Sequence, residues 1–102
     1  MPKRMQDVPA EYRSNQRVLA EAIGERMRLR REKLGLTQEH LRARMELENV
    51  YVSRTQYSRL ENGEALPNAS HLIALRRVLG VSYDWLLEGD EGGDEESVKR
   101  RT

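Results

Sequence analysis

Residues 35–63 read GLTQEHLRARMELENVYVSRTQYSRLENG, and the way this stretch divides decides the fold. Thr37 stands where a helix N-cap is expected, Gln38 and Glu39 fill a first turn, and Leu41 and Met45 follow four apart. That pattern predicts a helix from residue 38. Another helix is predicted after Val52, with Ser53 as its cap and the Asn62-Gly63 pair as its stop. On this second helix the spacing turns Val52, Tyr57 and Leu60 inward and leaves Ser53, Arg54, Thr55, Gln56, Ser58 and Arg59 outward.

Working outward, Val18, Leu19, Ala22, Ile23, Met27 and Leu34 recur at helical intervals upstream and stop at Gly35. The cationic run of Arg26, Arg28, Arg30, Arg31 and Lys33 on this helix reads equally as a solvated face. Downstream, Pro67-Asn68 opens a further helix whose apolar face is Leu72, Ile73, Leu75, Val78 and Leu79 and which closes at Gly80. Ser82 caps a last short one containing Trp85, Leu86 and Leu87, with Leu86 expected in the core and Trp85 shared between the core and a dimer surface. The expectation is an all-α chain of five helices: a flexible N-terminal arm over 1–14, one domain over 15–87, and a tail over 88–102 with little to bury.

Composition narrows the function. The 102 residues are 34% charged and 37% hydrophobic, with no cysteine, so no disulfide framework or thiolate metal site is available. No stretch has the length of a membrane span, and residues 1–14 lack the apolar core of a signal peptide, which makes the cytoplasm the expected location. His40 and His71 have no acid at ligand spacing and read as surface or capping residues rather than metal ligands. No serine has a histidine and acid in triad order, and no glycine-rich phosphate loop is present, so no catalytic residue, cofactor or small-molecule effector is expected.

The net charge of +1 conceals a division along the chain. Residues 15–87 hold twelve Lys/Arg against nine Asp/Glu, whereas residues 88–102 hold six acids against three bases. The central segment's modest positive excess permits nucleic-acid binding. Sharper is the absence of any carboxylate from Ser53 to Leu60 in a chain where one residue in six is acidic, because phosphate repels carboxylates. Arginine pairs with guanine, glutamine with adenine, and the threonine methyl packs on thymine. Arg54, Thr55, Gln56 and Arg59 are therefore a candidate base-reading set for a helix laid in the major groove.

From Ile23 to Leu87 the chain resembles the lambda-repressor-like, Cro/C1-type helix-turn-helix family. The resemblance is carried in order by Ile23-Gly24-Glu25-Arg26-Met27-Arg28, Gly35-Leu36-Thr37-Gln38-Glu39, Ser53-Arg54, Ser58-Arg59-Leu60-Glu61-Asn62-Gly63, Pro67, Leu79-Gly80-Val81-Ser82 and Asp84-Trp85-Leu86-Leu87. It implies five helices around one core, with the second and third as the DNA-binding pair. It also implies that Arg54, Thr55 and Arg59 read bases, that Gln38 meets a phosphate and braces the reading helix, and that Ser53 and Asn62, grouped here with Ser58, position the backbone. Arg31 and Glu61 match a buried structural salt bridge.

Two departures accompany the match. Residues Glu46-Leu47-Glu48-Asn49-Val50 lengthen the connection between the second and third helices, with Arg42 where a small residue is usual. This connection is expected to point away from DNA or toward a partner. Glu64-Ala65-Leu66 lacks the arginine that some relatives place over the minor groove. The implied function is a sequence-specific transcriptional regulator, a repressor, binding an inverted-repeat operator in double-stranded DNA as a homodimer. The competing function is an antitoxin or interaction module whose main partner is another protein. Lys3-Arg4 and Lys99-Arg100-Arg101 are expected to be solvated unless they add phosphate contacts.

Overall fold

In the computed structural model, residues 9–90 are described and form five helices. They are α1 (Ala10–Lys33), α2 (Gln38–Leu47), α3 (Arg54–Glu61), α4 (Ala69–Leu79) and α5 (Tyr83–Glu88). No strand occurs among the described residues. The basic ends at Lys3-Arg4 and Lys99-Arg100-Arg101 lie outside them.

Local chemistry sets the helix boundaries. Thr37, Ser53, Asn68 and Ser82 each accept a backbone N–H from the first turn of the helix they precede, satisfying donors that a helix start leaves open. At α4 the box is closed in both directions, because His71 Nδ1 accepts the Asn68 N–H in return.

α1 opens at Ala10, five residues ahead of residue 15, where the domain is expected to begin. Pro9 stands at its N-cap with φ −53° and Glu11 sits in the first turn, and no side chain caps this exposed start. The apolar periodicity missed this half because none of residues 10–19 joins the core, and all but Gln16 are exposed. Val18 and Leu19, expected on the buried stripe, are 63% and 37% exposed for the same reason. Leu34 also faces solvent, as does Ile73 on α4.

The core consists of Ile23, Met27, Leu41, Met45, Val52, Tyr57, Leu60, Ala74, Leu75, Leu79, Val81 and Leu86, so every helix contributes. Leu86 is fully buried and Trp85 packs partly buried against the cluster.

Two arginines of the cationic run on α1 turn out to be structural. Arg26 donates to the Leu86 carbonyl at 3.1 Å and Arg30 to the Leu79 carbonyl at 2.8 Å. These carbonyls belong to α5 and to the last residue of α4, where cations also oppose the negative helix end. α1 thus clasps the later helices through charge-assisted bonds as well as through packing.

Candidate nucleic-acid interface

The connection between α2 and α3 determines how α3 is aimed. Glu46 and Leu47 extend α2 by about half a turn, and Asn49 then takes φ +63°. Its N–H bonds the Glu46 carbonyl while the Val50 N–H bonds the Met45 carbonyl, a left-handed closure that asparagine tolerates better than most residues. Val50 folds back onto the core beside Met45. Arg42, on the half-buried side of α2, reaches across so that its Nε donates to the Val52 carbonyl at 3.2 Å. Glu48 pairs with Arg77 of α4 at 3.2 Å. The lengthened segment is therefore a longer helix with an asparagine closure. It is tied to α4 on one side and to the residue preceding the Ser53 cap on the other.

α3 is seated by a four-donor clamp on one carboxylate. Arg31 Nε and Nη2 donate to Glu61 Oε2 and Oε1 at 2.7 and 3.0 Å. Gln38 Nε2 donates to Oε1 at 3.1 Å and the Tyr57 hydroxyl to Oε2 at 2.5 Å. The Glu61 side chain is 1% exposed and that of Arg31 12%. Burial alone would raise the Glu61 pKa, but hydrogen bonds from Arg31 and Tyr57 and the Arg31 charge outweigh it and hold the carboxyl below its ordinary 4.5. The hydrogen bond from Arg31 to Glu61 raises the guanidinium in turn. Burial, then the bond to Glu61, pushes the Tyr57 hydroxyl up, so it stays a donor. The clamp joins α1, α2 and α3.

With its inner face fixed, α3 shows Ser53, Arg54, Thr55, Gln56, Arg59 and Asn62 to solvent, and Ser58 half-buried. The Ser53 hydroxyl is engaged as the cap, accepting the Gln56 N–H at 3.1 Å. Arg54 has no ion-pair partner among the described residues, whereas Arg59 Nε lies 3.7 Å from Glu64 Oε2. Gln38 is the first residue of α2, with its side-chain amide donating to Glu61.

Gly24 explains how closely α1 approaches this unit. A Cβ there would lie 2.4 Å from the Leu60 carbonyl oxygen and 2.5 Å from that of Glu61. Only a residue without a side chain lets α1 and α3 cross at this distance.

Three contributors escaped the sequence reading. Tyr57 is expected only to face inward, yet its hydroxyl is a member of the clamp; its i,i+4 spacing to Glu61 was the available signal. Arg42 is the strap to Val52, and Glu64 meets Arg59. The first contact has no local sequence signature, whereas the second joins positions five apart across the Gly63 closure. Among the described residues no group of His, Cys, Asp and Glu is placed to hold a metal ion, and no helix is long and apolar enough to cross a membrane.

A helix-turn-helix family model matches residues 27–86. The HTH-type transcriptional regulator DicA of Escherichia coli (strain K12) is 41% identical over 69 residues, covering 68% of this chain and 47% of DicA. Repressor protein C2 of Salmonella phage P22 is 40% identical over 68 residues, 67% of this chain and 29% of that protein. The HTH-type transcriptional activator BcrR of Enterococcus faecalis is 41% identical over 56 residues, 55% of this chain and 25% of BcrR. The chain thus spans less than half the length of these curated relatives. No solved structure matches it significantly.

Proposed function

Because the chain belongs to the Cro/C1-type helix-turn-helix family, we propose that it is a sequence-specific transcriptional regulator that binds an inverted-repeat operator in double-stranded DNA as a homodimer. α3 lies in the major groove, where Arg54, Thr55, Gln56 and Arg59 read base edges. Gln38, Ser53, Ser58 and Asn62 hold the sugar-phosphate backbone. Repression follows from occlusion, since a domain seated over its operator blocks that stretch to polymerase. The observation that carries this reading is the solvent face of α3, free of carboxylate from Ser53 to Leu60 and fixed from behind by the Glu61 clamp. The relatives' names support a regulator while differing on direction, one being called a repressor and another an activator.

The test is selection from random duplex DNA with the purified protein. Recovery of an inverted repeat with half-sites about one helical turn apart supports dimeric operator recognition. Enrichment of no sequence refutes it. A second reading, a module whose main partner is another protein, is favoured by one feature of the lengthened connection: Leu47 and Tyr51 are 84% and 75% exposed. An unselective result on DNA together with a partner lost on Leu47→Lys would support that alternative.

A further inference from the structure

α3 ends in a left-handed closure of its own. Gly63 at φ +74° donates to the Leu60 carbonyl and the Glu64 N–H donates to the Arg59 carbonyl at 2.9 Å. Gly63 is pinned there, because a Cβ would meet the Glu21 Cα at 2.7 Å. This motif brings the residue two past the cap against the one three from the helix end, a contact that is ordinarily hydrophobic. At the end of α2 it is hydrophobic: Met45 and Val50 join the core. At the end of α3 the same two positions are Arg59 and Glu64, an ion pair whose side chains are both 57% exposed. Such a pair adds little to folding. It does place a carboxylate against one arginine of the reading face.

We propose that Glu64 is a positioning residue for Arg59 that sharpens discrimination between a matching sequence and unrelated DNA; the proposal rests on α3 being the reading helix. The carboxylate engages the guanidinium at Nε, which leaves the two terminal nitrogens to meet the paired acceptors of a guanine edge. Arg59 is thereby held before DNA arrives. On a sequence without guanine at that step Arg59 gains nothing, while the Glu64 charge still opposes phosphate. That repulsion falls on both duplexes alike, whereas only the matching site returns the gain from an arginine already placed.

The experiment compares binding to a duplex recovered by selection with wild-type protein and to a scrambled duplex of equal length. Glu64→Gln is expected to lower the ratio of the two affinities about two- to fivefold and to relax preference at one base pair. Glu64→Asp, which keeps the charge but not the reach, is expected to relax the same base pair. In an Arg59→Ala background, Glu64→Gln is expected to leave the ratio unchanged. Equal tightening of both duplexes by Glu64→Gln, or a ratio change that persists without Arg59, overturns the proposal. A parallel NMR measurement of the Arg59 Nε–H in the free protein separates this role from the reading beneath it. Increased mobility in Glu64→Gln supports the restraint, and unchanged mobility overturns the positioning role alone. Failure of the wild type to enrich any sequence overturns the assignment of α3 itself.

Discussion

Glu61 shows how much can hang on one residue. A carboxylate with a 1% exposed side chain is tolerable only because Arg31, Gln38 and Tyr57 fill its acceptor sites. Arg31→Ala strips its charge partner and should cost about 3 to 5 kcal/mol in urea unfolding. Removing Glu61 as well, as Arg31→Met/Glu61→Leu, should recover part of this. The rest is withheld because the Tyr57 hydroxyl and Gln38 amide then lose their acceptor, so adding Tyr57→Phe should recover more. A double variant no better than Arg31→Ala would show that the clamp is not a coupled unit.

Glu61 and the buried His71 set the acid limit. Glu61 titrates below its ordinary 4.5 in the fold, so its contribution is present above pH 4.5 and is lost as pH falls through the folded value. His71 is 5% exposed, and burial depresses it below its ordinary 6.5. Its neutral Nδ1 accepts the Asn68 N–H, and the unfolded chain takes up the proton first. Stability should therefore begin to decline below pH 6.5, level off below the folded histidine value, and fall again in the carboxylate range. His71→Gln should abolish the first step in a pH series of denaturation midpoints and leave the second.

At the scale of elements, the ends and crossings of helices carry the specificity of the fold. Asn49 at φ +63° closes the lengthened α2. Asn49→Gly should be neutral to slightly stabilising, whereas Asn49→Ala should cost about 1 kcal/mol for the left-handed backbone. Equal effects of the two would exclude backbone conformation as the reason for this residue. Gly24→Ala should separate α1 from α3, since the clashing atoms are backbone carbonyls, at a cost of about 1 to 3 kcal/mol and with weaker DNA binding. Thermal melts and binding isotherms on one preparation measure both.

For the molecule as a whole, the prediction concerns DNA. Arg54→Ala should lower affinity for the selected duplex by about 1 to 3 kcal/mol and relax one base position. Gln38→Ala should weaken every sequence alike. It should also lower stability, because Gln38 is a clamp donor. Binding unaffected by both changes would remove α3 from the interface.

The sequence by itself determined the helix starts that follow residues 37, 53, 68 and 82, the glycine stops, and the inward set Val52, Tyr57 and Leu60. These are local properties: a cap oxygen, a φ preference and a 3.6-residue period act within one or two turns. The Arg31–Glu61 pair was reachable only through family resemblance, because thirty residues separate its members. Tertiary structure alone decided which apolar residues of α1 are covered, since periodicity gives a direction around a helix and says nothing of where its neighbours end. It alone assigned Arg26 and Arg30 to the carbonyls of later helices and the lengthened connection to α2. Those contacts depend on distances between elements, which no local pattern encodes.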